Sequence, residues 1–272
     1  MQLPRLGVAL RHASFEMLRD WIFAHDRTIE IQDFVFPDVI AGDTGPLVET
    51  WRKALDGHKG IRGIHGPFFG LDLSNPDRDI RQVMQRRFLK GLEIAEALGA
   101  DQMVIHSPFN FWHTLNYVNY PDIRRSLFDA SADCLGPVLQ RAGDTGCTLV
   151  LENIDDTAPA DRFDLVAEID HPNLKLSIDT GHAELAHQNY GAPPLVDFIA
   201  ASKDRLDHVH LQDVDGHADR HWHPGEGCIL WAAVFGALRA SESNPRLVLE
   251  VRSELERLPA TVARLESLGL AN

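Results

Sequence analysis

Short apolar runs rich in β-branched residues alternate along the chain with longer segments whose apolar residues recur at helical spacing, the unit repeating roughly every 30 residues. The short runs predict strands at 6–10, 28–32, 61–65, 102–106, 148–153, 174–179, 206–211 and 246–251. Centres such as Met103-Val-Ile105, Leu149-Val-Leu151 and Leu247-Val-Leu249 are apolar without alternation, as in parallel strands covered on both faces. The longer segments carry helix punctuation. Asn75-Pro76-Asp77 reads as an N-cap with proline at the first helical position. Apolar residues follow at Ile80, Val83, Met84, Phe88, Leu92, Ala95 and Leu98, and Gly99 supplies a left-handed stop. A second long helix is predicted over 123–142, stopping at Gly143.

Eight strand–helix units without a linker or low-complexity tract predict an α/β fold, a (β/α)8 TIM barrel, with residues 1–272 as a single domain. The competing architecture is an open doubly wound sheet. It would want a G-x-G-x-x-G turn after the first strand, which instead ends Leu10-Arg11-His12.

Six consecutive predicted strands, the third to the eighth, run out at a metal-ligand residue: His65, His106, Glu152, Asp179, His210 and Glu250. In a closed parallel barrel the carboxyl ends of all strands converge on one pocket, so ligands distant in sequence meet in space. Glu152 and Glu250 each end an apolar run, where a carboxylate is costly unless a cation, or a nearby Arg or Lys, offsets it. Either of His65 and His106 alone reads better as a hydrogen-bonded core histidine; taken with the others, both read as ligands.

The densest segment is 208–227, which holds five of the 14 histidines. His208 and His210 share a strand face. Asp219 and His221, two residues apart, are placed to chelate one ion together, and Pro224-Gly-Glu-Gly227 turns the chain tightly. In Ser177-Ile-Asp-Thr-Gly-His182, Gly181 permits a sharp turn that brings His182 back toward Asp179.

Charge narrows the partners. The formal net charge is −14 and the pI near 5.4, so the chain lacks the basic footprint that grips a nucleic-acid backbone. A small anionic or sugar-like substrate remains compatible, because bound metals supply positive field locally. No apolar run is long enough to span a membrane, and the N-terminus shows no signal-peptide pattern. The three cysteines, Cys134, Cys147 and Cys228, form no C-x-x-C pair and fit reduced thiols, so a cytoplasmic location is expected.

These motifs resemble the xylose-isomerase-like barrels, a superfamily that includes sugar phosphate isomerases and epimerases and the family 2 AP endonucleases such as endonuclease IV. Asp219-Arg-His221 followed by Gly225-Glu-Gly227 resembles the D-R-H…G-E-G stretch of the endonucleases. Asp179-Thr-x-His182 resembles their D-T-x-H motif, His210-Leu-x-Asp213 their H-L-x-D motif, and Glu152-Asn153 their E-N pair. Glu250, His65 and His106 stand in the places of the remaining ligands. The resemblance implies a centre of up to three metals. His65, His106 and Glu152 would hold one, with Glu152 bridging to a second on Asp179, His210 and Glu250, and a third on His182, Asp219 and His221. Two departures argue against a DNA substrate. The first strand has Gly7-Val-Ala-Leu-Arg11 in place of G-A-H-x-S, and the second runs into Glu30-Ile-Gln-Asp-Phe-Val-Phe-Pro37 without a basic residue.

A multi-metal centre suits hydrolysis, so the first expectation is a zinc-type hydrolase acting on a small phosphodiester or sugar phosphate. Glu152, Glu250 and His182 are the catalytic candidates. Arg220 and Arg11 are candidates for the substrate's anionic group, and Trp222 and Trp112 for a lid that stacks on a sugar or base, Trp112 lying in the aromatic stretch 109–120. The alternative is a sugar or sugar-phosphate isomerase or epimerase, in which one Mn or Mg ion and the glutamate pair Glu152 and Glu250 work through an enediolate. DNA repair ranks third. A non-catalytic binding barrel is set aside because no ligand position has been lost.

Overall fold

In the computed structural model, which describes residues 5–272, eight parallel strands close into a barrel in sequence order: β1 (Leu6–Leu10), β2 (Ile29–Ile31), β3 (Arg62–His65), β4 (Gln102–His106), β5 (Thr148–Glu152), β6 (Leu174–Asp179), β7 (Leu206–Leu211) and β8 (Arg246–Leu249). β8 returns to pair with β1 in register Leu6 to Leu247 and Val8 to Leu249. The unbroken apolar centres are buried, one side chain filling the barrel and the next packing under the outer helices.

The strands are shorter than the sequence pattern at several ends. β5 stops at Glu152 and β8 at Leu249, leaving Asn153, Glu250 and Val251 just beyond the ladder. Gln32 likewise falls past β2, where the chain turns into a 3-10 turn at Asp33–Val35. Gln32 and Glu250 still donate their N–H groups to Leu10 and Leu211 on the neighbouring strands, and the Glu250 side chain lines the barrel mouth.

Two helix boundaries also shift. The helix Arg78–Leu98 is capped by Asp77, whose carboxylate accepts the Asp79 N–H at 2.8 Å. Asn75 instead closes a turn onto the Asp77 N–H, and Pro76 lies before the helix. Gly99 is left-handed at φ 66°, as expected. The helix Ile123–Thr145 runs through Gly143 and stops at Gly146, the residue that adopts φ 69°. Its N–H bonds the Gly143 carbonyl and the next N–H, of Cys147, bonds that of Ala142, so the end is closed three residues later than expected. Among the described residues no helix is long and apolar enough to cross a membrane.

Candidate metal centre

The carboxyl ends of β3 to β8 bring the nine sequence-derived ligand candidates into three groups at the barrel mouth. These are His65, His106 and Glu152; Glu152, Asp179, His210 and Glu250; and His182, Asp219 and His221, with the ligand atoms of each group within 4.8 Å of one another. Glu152 belongs to two of them. One oxygen is 3.6 Å from His65 Nε2 and 3.9 Å from His106 Nε2; the other is 3.0 Å from His210 Nδ1. Glu250 lies 3.4 Å from His210 Nδ1 and 3.6 Å from His221 Nδ1. In the outer group, Asp219 is 3.5 Å from His182 Nε2 and 3.1 Å from His221 Nε2.

The local chain explains the aim of these groups. His65, His182 and His221 each donate Nδ1–H to a backbone carbonyl, of Gly66, Asn153 and Glu250 respectively, at 2.9, 3.1 and 2.9 Å. That fixes each ring and turns Nε2 inward, toward a carboxylate, where it can bind an ion once its proton is displaced. Asn153 locks the ends of β5 and β6 together, accepting the Asp179 N–H and donating to the Asp179 carbonyl. Past β7, Gln212 donates to Asp179 and Asp219 and accepts the His221 N–H.

Gly181 serves a different purpose from the turn expected of it. Its φ is not in the left-handed region, and it sits in the helix Thr180–Tyr190, where a Cβ would fall 2.3 Å from Cδ of Gln212. Gly181→Ala is therefore expected to displace the fixed Gln212 amide and lower stability by about 1–3 kcal/mol, measured by urea denaturation. A variant as stable as wild type would show that Gln212 yields freely.

Electrostatics favour a cation here. Oε2 of Glu152 and Oδ2 of Asp179 are buried and accept no hydrogen bond from the described residues. Burial, with Glu152 and Glu250 alongside, pushes Asp179 up to about 6. Burial pushes His106 down to about 3, the form that offers a lone pair, and its Nε2 meets His65 Nε2 at 3.4 Å. Burial alone would raise Glu152, but His210, His65 and His106 hold it well below the usual carboxylate range. The donors are imidazole nitrogens and carboxylate oxygens, a set that suits Zn, Mn or Mg ions.

Above the groups opens a cavity of about 430 Å³. His65, His106, Glu152, His182, Asp219, His221 and Glu250 form its floor and sides. Arg11 is in the lining, its guanidinium 4.5 Å over the Phe36 ring. Arg220, Trp222 and Trp112 are not. Arg220 pairs with Asp215 at 2.8 Å and lies over Trp222, while Trp112 packs beside Tyr120 on the short helix Phe111–Asn116. The apolar wall comes instead from Val35, Phe36, Phe68, Phe69 and Ile154, and Arg252 joins Arg11 as a second cation in the lining. Phe36 stacks on Phe69 and Phe68 on His106. The available signal was the Pro67-Phe-Phe69 run directly after a strand-end ligand. A larger hollow of 660 Å³, at the opposite end of the barrel, is lined by residues such as Arg5, Thr28, Asp207 and Arg246, and none of the candidate ligands reaches it.

Residues 27–268 match the model of the family described as xylose isomerase-like TIM barrel. The chain belongs to that family. D-psicose 3-epimerase of Ruminiclostridium cellulolyticum is 25% identical over 192 residues, 68% of this chain. The chain spans 59% to 61% of the length of curated relatives it matches. Among solved structures, the TTHB071 protein of Thermus thermophilus, soaked with ZnCl2, is 27% identical with TM-score 0.72, covering 97% of this chain and 98% of that one. A D-tagatose 3-epimerase-like protein has TM-score 0.75 at 20% identity, covering 98% and 97%, and shares the fold. The xylose-isomerase-like protein thus has a TIM barrel with a buried His/Glu cluster able to chelate one or more divalent metals.

Proposed function

We propose that this protein is a divalent-metal-dependent isomerase or epimerase acting on a small sugar or sugar phosphate. The observation that carries the reading is which members of the buried tetrad border the cavity. Glu152 and Glu250 line the cavity, whereas Asp179 and His210 do not. Two carboxylates three strands apart in the ring are therefore presented to a ligand, and the other two residues complete a metal cage behind them. The cavity is sized for one small ligand, and its phenylalanines offer apolar faces against which sugar C–H groups pack. Relatives named as ketose 3-epimerases, at 25% identity or less, add support.

A divalent ion held by Glu152, Asp179, His210 and Glu250 would polarise the carbonyl–hydroxyl pair of the substrate. One glutamate then removes the proton from the carbon beside the carbonyl, and the other returns a proton, to the opposite face for epimerisation or to the neighbouring carbon for isomerisation. His182, on the cavity wall, is held by Asn153 with Nε2 facing Asp219 and the ligand space. The phenylalanine wall keeps water from the carbanionic carbon.

A second reading keeps one specific observation. The His65–His106–Glu152 and His182–Asp219–His221 groups exceed what proton transfer at one ion requires, and they suit hydrolysis at a multinuclear centre.

Solvent exchange separates the two. In D2O with a ketohexose and Zn2+, Mn2+ or Mg2+, the protein is expected to wash deuterium into the carbon next to the carbonyl, seen as loss of that proton signal by NMR. EDTA should abolish the exchange and added metal restore it. No exchange with any ketose, together with metal-dependent cleavage of a phosphodiester that Asp219→Ala/His221→Ala abolishes, would favour hydrolysis.

A further inference from the structure

Below the candidate metal centre lies a buried acid that the proposed reaction does not use. Glu30, on β2, points into the barrel. Its Oε1 accepts from His210 Nε2 at 2.9 Å and from the Gln32 amide at 3.2 Å. Its Oε2 faces His208 Nε2 at 3.1 Å, and the Ser177 hydroxyl meets His208 Nδ1 at 2.8 Å. All of these side chains are buried.

His210 is oriented unlike its neighbours. His65, His182 and His221 place Nδ1–H on a backbone carbonyl and present Nε2. In His210 the order is reversed: Nδ1 is 3.0 Å from Glu152 Oε1, toward the cavity, and Nε2 is turned down onto Glu30. Ionised, Glu30 only accepts, so the nitrogen facing it must carry hydrogen. The proton that a metal displaces then comes from Nδ1. Among the described residues no backbone carbonyl does this work for His210, and a residue on a strand far from its own does it instead.

We infer that Glu30 is a positioning residue that fixes His210 as the Nε2–H tautomer and so makes Nδ1 its ligand atom. A carboxylate behind a metal-bound imidazole orients the ring and raises its basicity, typically worth about 10- to 100-fold in metal affinity. The inference rests on the proposed reading only in placing an ion on the Glu152–Asp179–His210–Glu250 group, not on the reaction.

Glu30→Gln keeps the shape but replaces one acceptor by an N–H2 donor. The substituted amide is then left to accept from one histidine while pressing a donor toward the other. Competition with a chromophoric chelator is expected to show divalent-ion affinity falling about 10- to 100-fold. Metal-loaded wild-type protein should show His210 as the Nε2–H tautomer in long-range 15N-edited NMR, a readout that requires no variant to fold. An Nδ1–H tautomer there, or unchanged affinity in Glu30→Gln, overturns the inference. So does a variant that binds one ion fewer while holding the rest as tightly, because Glu30, His208 and His210 would then be ligands of an ion of their own. Wild-type protein that binds no divalent ion refutes the proposed function as well; the other outcomes leave that function standing.

Discussion

Glu152→Gln is expected to lower the rate of carbon-bound proton exchange by about 10⁴-fold, at the upper end of what a general acid–base group supplies. The residue is shared by two of the metal groups, lines the cavity, and faces His65, His106 and His210 at 3.6, 3.9 and 3.0 Å. Glutamine preserves the volume and removes the charge, so the variant loses both a base and the ligand common to the two groups. Metal content should fall with activity. Glu250→Gln also removes one of the cavity-facing carboxylates but touches a single metal group, so it should lose comparable activity while keeping more metal. Rates from D2O exchange and metal content by mass spectrometry of the chain check both. A Glu152→Gln enzyme within tenfold of wild type would remove Glu152 from the chemistry.

Much of this centre is legible in the sequence because a parallel barrel converts strand order into spatial order. A ligand type at the end of each apolar run needs no further information to be brought to the mouth, and His65, His106, Glu152, Asp179, His210 and Glu250 all arrive there. His182, Asp219 and His221 came from motif spacing. What stayed hidden has physical causes. Glu30 sits within β2 instead of at its end, and its meaning depends on His210, 180 positions away. The Phe36, Phe68 and Phe69 wall follows from how the loops after β2 and β3 lean together, which periodicity does not encode. Trp112 and Arg220 have the right chemistry for a substrate, but local partners hold them outside the cavity lining. The expected stop at Gly143 failed because glycine in a helix is tolerated at about 1 kcal/mol when packing favours continuation.

Asp213 carries the second large effect, on stability. It follows β7 in the His210-Leu-x-Asp213 motif and is wholly buried, yet belongs to none of the metal groups. Its carboxylate accepts the backbone N–H groups of Val214, Gly225 and Ile229 at 3.0, 2.6 and 3.1 Å, and the Trp231 indole at 2.8 Å. Its own backbone pairs with Trp222 in both directions. The loop that bears Asp219 and His221 is thus folded around one acid. The glycines after it answer the same geometry: Gly225 takes φ 92°, and a Cβ on Gly227 would fall 2.1 Å from the Val214 carbonyl oxygen. Asp213→Ala leaves these donors unpaired in the interior, and a loss of about 3–5 kcal/mol is expected, read as a lower urea midpoint. Asp213→Asn keeps one acceptor but turns an N–H2 donor onto two of these donors, so it should recover only part of the loss. The third metal group should suffer first, because His221 holds a left-handed φ of 49° that only the ordered loop enforces. Titration of the alanine variant under conditions where it is still folded should show the weakest-binding ion lost and the tetrad's ion retained. If the alanine variant retained all of its ions, Gln212, which also grips Asp219 and the His221 N–H, would be the group that orders the ligands, with Asp213 serving stability alone.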